Sequence, residues 1–291
     1  MSLRGELFKN HDLARYTSWR IGGPADTFYR PADLVDLQNF LKQLPKDEPL
    51  TFLGLGSNIL VRDKGVRGTV VLTLSRLSEL KLISETQVYV QAGVTCAKLA
   101  KFCVDYGFEN GAFFAGIPGT VGGALAMNAG AFGGETWRQV ERVDLLTRFG
   151  EIKTKSASDF KVAYRQVDGL SDDYFIAGIF RFALGDAVKA KASIKELLKK
   201  RSDSQPIGTY NCGSVFRNPP NDHAARLIEA CGLKGFTMGE AQVSEKHANF
   251  ILNTGEAKAA DVEALIQKIQ LAVLEKFGVK LITEVHFLGE K

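Results

Sequence analysis

The chain is poor in the residues that usually give a quick answer. Its four cysteines, Cys96, Cys103, Cys212 and Cys231, form no CxxC pair. A disulfide framework and a cysteine zinc site are therefore not indicated, and reduced packing thiols are expected. The four histidines, His11, His223, His247 and His286, are scattered without ligand spacing, so no metal site is expected. Long apolar runs are missing as well. The stretch Met1-Ser2-Leu3-Arg4-Gly5-Glu6 lacks a signal core, and no segment is long enough to span a bilayer. A cytoplasmic protein with no membrane partner is expected. Nor is there a strong charge of one sign: the formal net charge is +4 over 291 residues, with no long basic run. That argues against nucleic acid, although a mildly basic cleft suits an anionic nucleotide.

What the chain does have is glycine in two informative places. The run Ala115-Gly116-Ile117-Pro118-Gly119-Thr120-Val121-Gly122-Gly123-Ala124-Leu125-Ala126-Met127-Asn128-Ala129-Gly130 carries few bulky side chains, so its backbone N–H groups can approach a ligand closely. Pro118 fixes φ just ahead of Gly119, and successive N–H groups in such a turn make a concavity suited to a pyrophosphate. Gly54-Leu55-Gly56-Ser57-Asn58, after the apolar Leu50-Thr51-Phe52-Leu53, is a second such cradle. It is not a Rossmann fingerprint. Ile59 holds the third glycine position, and Ile59-Leu60-Val61 followed by Gly68–Leu74 reads as strand where that motif needs a helix.

The rest of the chain alternates helix and strand patterns. Leu34, Leu37, Phe40, Leu41 and Leu44 share a helical face that stops before Pro45. Thr95 caps a second helix that Gly107 closes, and strands are expected from Leu50 to Leu74 and from Gln87 to Gln91. Strands follow within Gln139–Ala163 and at Tyr174–Phe180, then a lysine-ended helix from Ala190 to Arg201. Its charge run reads as a solvated face. Ser202-Asp203-Ser204-Gln205-Pro206 reads as a connector and domain boundary. Beyond it, Asp222 caps a short helix ending at Gly232, Leu265 to Phe277 builds the last helix, and Gly278 stops it. In the closing strand Leu281, Val285 and Phe287 face one way, Glu284 and His286 the other.

Six segments in order carry a resemblance. They are Thr17–Ala25 (TSWRIGGPA), Gly54–Asn58, Ala115–Gly130, Tyr164-Arg165, Gly213–Pro219 (GSVFRNP) and Glu284-Val285. Together they resemble the UDP-N-acetylenolpyruvoylglucosamine reductase (MurB) family, over nearly the whole chain. The resemblance implies an α/β and α+β protein. Its FAD-binding domain, of the vanillyl-alcohol-oxidase (PCMH) type with two subdomains, would occupy residues 1–205, and a smaller α+β substrate-binding domain residues 206–291. It implies NADPH-dependent reduction of UDP-N-acetylglucosamine enolpyruvate to UDP-N-acetylmuramate in peptidoglycan precursor synthesis. FAD would be bound non-covalently, and no histidine lies between Gly54 and Gly134 to attach it. Only about seventy residues separate Ser214 from Glu284, which leaves little room for the tyrosine-bearing lid insertion of one group of the family. The shorter type is expected.

Residue by residue, the resemblance places the flavin diphosphate against Gly54, Gly56, Ser57, Asn58, Gly116, Ile117, Pro118, Gly119, Gly122 and Gly123. Hydride would come from flavin N5 and a proton from Ser214. Arg165 would stabilise the enolate, since a guanidinium grips a carboxylate with two parallel hydrogen bonds. Glu284 would either hold the carboxylate end through a shared proton or orient Arg165. Beside an anionic substrate a raised pKa is expected for it. Tyr164, Arg217 and Asn218 would contact the substrate. Cys212, Glu240 and Gln166 depart from the family's usual residues without removing any of these groups. An oxidase of the same fold acting on another alcohol or sugar is one competing reading. A non-catalytic nucleotide-binding module is another, and it has no use for Arg165, Ser214 and Glu284.

Overall fold

Asp33 starts the first helix. Its carboxylate accepts the N–H of Asp36 at 2.8 Å, and α1 (Leu34–Gln43) runs from there with Leu37, Phe40 and Leu41 buried. Leu44 turns extended ahead of Pro45 because proline's ring disfavours helical geometry in the residue before it. In α2 (Cys96–Asp105) the Thr95 hydroxyl accepts the N–H of Lys98 at 3.2 Å, and Gly107 closes the end with a left-handed φ of 71°. Both helices form where the capping residues and apolar periodicity place them.

The computed structural model describes residues 2–291, without the side chain of Ala187. The chain forms two compact units, passing from one to the other after Phe8, Thr27, Leu55, Gly68 and Lys200. The first unit holds the residues up to Phe8, Phe28–Leu55 and Thr69–Lys200. At its centre is a five-stranded antiparallel sheet in the order Ile152–Ser156, Val140–Leu146, Tyr174–Arg181, Gln87–Gln91, Leu80–Leu82. Over it lie α2 and α3 (Val121–Met127), closing an apolar cluster rich in phenylalanine: Phe108, Phe114, Phe180 and Phe182 are fully buried. A second cluster lies under α1 around Tyr29, Leu37, Val71 and Ile176.

That second cluster contains a buried acid. The Asp36 carboxylate accepts the N–H of Arg4 at 2.7 Å, the Tyr29 hydroxyl at 2.5 Å and the N–H of Ala32 at 2.9 Å. Burial alone would raise its pKa, but these bonds outweigh burial and hold it below the ordinary value, while burial and Asp36 together push the Tyr29 hydroxyl up. A depressed folded pKa stabilises the fold above the unfolded value of about 4, and that contribution is lost as pH falls through the folded value. Asp36→Asn is therefore expected to lower the melting temperature at pH 7 and to flatten its fall below about pH 4. Thermal unfolding at a series of pH values checks this.

The second unit holds Lys9–Thr27, Gly56–Gly68 and Arg201–Lys291. Its core unites Trp19, Ile21 and Leu60 from the two early segments with Val215, Phe216, Leu227, Val243, Leu265, Ile269 and Val285. The elements are α5 (Ala224–Ala230), α6 (Ala259–Phe277), an antiparallel sheet of Thr237–Met238, Ala241–Val243 and Ile251–Asn253, and the parallel pair Ile59–Val61 with His286–Leu288. Trp19 Nε1 donates to the Ile251 carbonyl at 2.7 Å, and Asn253 Nδ2 returns a bond to the Trp19 carbonyl at 2.9 Å.

Four details differ from the sequence reading. The segments 9–27 and 56–68 group with the C-terminal residues, because their apolar side chains complete that core. The lysine-rich helix α4 (Ala187–Ser204) takes in the expected connector Ser202–Ser204, since nothing disfavours helix before Gln205-Pro206. Asp222 does not cap α5: Asn218 Oδ1 accepts the Ala224 N–H at 3.1 Å, while Asp222 holds Arg226 Nε at 2.7 Å. The regular part of the closing strand is His286–Leu288, and Thr283 forms only an isolated bridge with Phe216. The parity of that segment is as expected, with Leu281 and Val285 buried and Glu284 half-buried.

Candidate active site

The long glycine run is a short 3-10 segment (Glu109–Gly116), a turn and α3. A helix leaves its first N–H groups without intrahelical partners. Here Val121 N–H donates to the Val94 carbonyl at 2.8 Å and Gly122 N–H to Ala92 at 2.9 Å. Those two groups seat the helix on the chain itself. Gly122 is required for packing, as a Cβ there would lie 2.9 Å from the Ala92 Cβ. Gly123 differs: it is exposed and a Cβ there would meet nothing within 4 Å. Open space over the first turn of α3, next to the exposed Pro118 and the half-buried Gly119, fits a ligand phosphate lying against backbone. Gly116 and Ile117 are partly and fully covered within the same unit.

The far end of the run builds a socket for Arg165. Asn128 closes α3 with a left-handed φ of 40° and is buried; its side chain donates to the Ala163 carbonyl at 3.1 Å and accepts the Trp137 N–H at 3.2 Å. Arg165 sits at the tip of the hairpin formed by Lys161–Ala163 and Gln166–Asp168, itself at a φ of 56°. Its guanidinium donates to the carbonyls of Asn128 (3.5 Å) and Gly130 (3.2 Å) and lies 5.2 Å from the centre of the Tyr164 ring. A non-glycine residue held left-handed costs about 1–3 kcal/mol and persists where surrounding structure fixes it, typically at functional positions. Tyr164 is 51% exposed.

The shorter cradle is divided by the fold: Gly54 belongs to the first unit, and Gly56, Ser57 and Asn58 to the second. Gly54 meets Thr120, whose Oγ1 would be 2.3 Å from an added Cβ. Gly56 has a φ of 67°, accepts the Ser18 N–H at 3.0 Å through its carbonyl, and an added Cβ would be 2.1 Å from the Tyr16 carbonyl oxygen. Gly56→Ala combines left-handed strain with a backbone clash, so a loss of roughly 2 kcal/mol or more is expected. Chemical denaturation of the purified variant measures it. Asn58 Nδ2 donates to the Glu284 carbonyl at 3.1 Å.

In the second unit Ser214 and Glu284 lie on adjoining segments. Gly213, at a φ of 80°, makes the bend, with its N–H on Asn211 Oδ1 at 2.9 Å. After it the Val215 carbonyl accepts the Glu284 N–H at 2.7 Å and Arg217 N–H donates to Ile282 at 2.9 Å. Cys212 is buried; burial raises its thiol well above the ordinary value, and the Glu284 charge adds to the effect. Arg217 Nε is buried with no hydrogen-bond partner in the protein. Burial lowers the His286 pKa, and the charge of Arg217 lowers it further. Among the described residues no group of three or more acidic, histidine or cysteine side chains is placed to hold a metal ion, and no helix is long and apolar enough to cross a membrane.

Two residues that bear on the proposed site were not singled out from sequence, Asn128 beside Arg165 and Asn249 beside the Ser214 segment. Asn249 sits between the buried Ala248 and Phe250 and is itself buried. A polar side chain inside an apolar stretch needs internal partners, and that pattern was the available signal.

Comparison with known proteins settles the family. The model for the UDP-N-acetylenolpyruvoylglucosamine reductase C-terminal domain matches residues 205–288, and an FAD binding domain model matches residues 25–156. The UDP-N-acetylenolpyruvoylglucosamine reductase of Coxiella burnetii is 61% identical over 306 aligned residues, covering 99% of this chain and 97% of its own length. This chain belongs to that family. A crystal structure of the family's enzyme from Thermus caldophilus superposes with a TM-score of 0.84 at 28% identity, covering 99% of this chain and 100% of that one. The 6-hydroxy-D-nicotine oxidase of Arthrobacter nicotinovorans, at 13% identity and a TM-score of 0.56 over 97% of this chain and 89% of its own, shares the fold. The expected fold class, an FAD-binding α/β part with a reductase-type C-terminal domain, is thereby established. The chain is an FAD-dependent oxidoreductase of the reductase family.

Proposed function

We propose that this member of the family reduces the enolpyruvyl group of UDP-N-acetylglucosamine enolpyruvate to give UDP-N-acetylmuramate, a step of peptidoglycan precursor synthesis in the cytoplasm, with NADPH as the reductant. The observation that carries the reading is the joining of the Ser214 and Glu284 segments through the 2.7 Å bond from Glu284 N–H to the Val215 carbonyl. It brings a hydroxyl and a carboxyl onto neighbouring backbone in one unit. The buried, unpartnered Arg217 Nε on the same segment calls for an acceptor from outside the protein, and a nucleotide sugar brings several.

Bound FAD supplies the hydride transfer that no side chain can perform, and the open first turn of α3 at Gly119 and Gly123, with Gly54, Gly56, Ser57, Gly116, Ile117 and Pro118, is proposed to hold its diphosphate. The protein's own task is the carbanion. Hydride adds to the β-carbon of the enolpyruvyl ether, the double-bond electron pair moves toward the carboxylate, and a proton must then reach the α-carbon. Arg165, permanently charged and held by the Asn128 and Gly130 carbonyls, stabilises the enolate charge. Ser214 gives the proton, and the Arg217 charge three residues on favours the alkoxide that remains. Glu284 holds the carboxylate end of the substrate through a proton shared between the two carboxyl groups. Tyr164 and Arg217 contact the nucleotide sugar, whereas the acceptor oxygen of Asn218 already serves α5, leaving its amide nitrogen for the ligand.

Purified protein is expected to be yellow, to release FAD on denaturation, and to bleach with NADPH without oxygen. Colour returns on adding the enolpyruvyl nucleotide. Bleaching followed by rapid recovery with oxygen alone, and none with the nucleotide, would instead identify an oxidase.

A further inference from the structure

We propose that Asn249 and Asn58 are positioning residues, two carboxamides that together fix the Ser214 and Glu284 backbone for proton transfer. The inference rests on the reading of Ser214 and Glu284 given above and goes beyond it by naming what holds them. Asn249 is 3% exposed, so it touches no substrate. Its carboxamide grips one residue twice: Oδ1 accepts the Phe216 N–H at 2.9 Å and Nδ2 donates to the Phe216 carbonyl at 2.8 Å. Its own carbonyl accepts the Val215 N–H at 2.9 Å. The next link is the Val215 carbonyl, which accepts the Glu284 N–H at 2.7 Å. From the other side Asn58 closes on Glu284. Asn58 Nδ2 donates to the Glu284 carbonyl at 3.1 Å, and the Asn58 carbonyl accepts the His286 N–H at 3.1 Å.

A continuous line of hydrogen bonds therefore runs Asn58, Glu284, Val215, Asn249, and Ser214 is attached to it at Val215. The backbone N–H and C=O of Val215, next to Ser214, and those of Glu284 each have a fixed partner. The residue type matters at Asn249. Pairing with both the N–H and the C=O of one residue needs a donor and an acceptor in one rigid plane, which a carboxamide has and an ionised carboxylate lacks. Beyond the flavin contact expected of Asn58, its side chain serves the Glu284 backbone.

The test uses the FAD-loaded full chain and the variants Asn249→Asp, Ser214→Ala and their combination. Asn249→Asp keeps shape and acceptor and loses the donor to Phe216. FAD content and bleaching by NADPH are expected to stay within about twofold, while recovery of colour with the enolpyruvyl nucleotide slows about tenfold, within the ~10²-fold that a 1 Å misplacement can cost. The solvent deuterium isotope effect on that recovery should rise. In the Ser214→Ala background the Asn249 change should cost less than about threefold more, the non-additivity expected when one residue acts through another. Independently of activity, amide exchange at Val215 and Glu284, whose bonds depend on the placement of this segment, should accelerate in Asn249→Asp. If the two substitutions add fully, if both half-reactions slow together, or if the two amides exchange at unchanged rates, the positioning role is wrong. A silent Ser214→Ala would instead overturn the assignment of Ser214 itself. Should Asn249→Asp not fold, Asn58→Ser paired with Glu284→Gln runs the same cycle from the other end of the line.

Discussion

Ser214→Ala is expected to separate the two halves of the reaction. The residues proposed to hold FAD lie in other segments, so flavin content and its bleaching by NADPH should remain near normal. Recovery of colour with the enolpyruvyl nucleotide should slow by roughly 10²–10⁴-fold, the usual contribution of a positioned proton donor. The backbone supports so specific an effect. Gly213 provides the left-handed bend before Ser214, and Val215 beyond it is bonded on both sides, to Asn249 and to Glu284. Removing one hydroxyl leaves all of these bonds in place. Ser214→Cys, which keeps a proton to donate, should recover part of the loss. Anaerobic stopped-flow absorbance follows each half separately. Equal slowing of both halves, or of neither, would reduce Ser214 to a turn residue.

Arg165→Lys should behave as a severe change despite keeping the charge. An ammonium is a point charge on a flexible stem and cannot present two parallel donors to a carboxylate. Losing one charge-assisted hydrogen bond of about 1.5–3 kcal/mol corresponds to roughly a 10–100-fold fall in the rate of colour recovery. The guanidinium is also tied to the Asn128 and Gly130 carbonyls, so a lysine loses the orientation those bonds impose. Flavin content is expected to hold, because Arg165 lies on its own hairpin (Lys161–Asp168). Loss of flavin in step with activity would assign Arg165 to cofactor retention.

Much of the architecture could be read from short-range signals. The helix ends at Pro45, Gly107 and Gly278, and the caps at Thr95 and the buried face of α1, are local events set by a few neighbouring residues. The domain partition was less legible. Nothing local to Trp19 or Leu60 announces that they share a core with Ile251 and Val285, since that choice depends on pairings hundreds of residues apart. The glycine runs were legible as places of close backbone approach but not in the division of labour within them. Gly122 is filled by Ala92 where Gly123 is open, and two adjacent glycines look identical in sequence. A second duty of Asn58 and Asn218 was hidden for a similar reason: nothing local announces that each also satisfies a backbone group of its own unit.

The bond from the Trp19 indole to the Ile251 carbonyl has a consequence for how the chain is made. The two residues are 232 positions apart, so at ribosomal speeds of about 5–20 residues per second Trp19 exists for roughly 10–50 s before its partner is synthesised. Ile21 and Leu60 wait in the same way for Val215, Leu265 and Val285. During that interval the nascent chain carries an indole and aliphatic side chains whose final shelter is still untranslated. Most of the first unit, complete by Lys200, is free to fold in the meantime. Early termination within the last ninety or so residues should thus strand these apolar groups in solvent, and chaperone dependence should concentrate there.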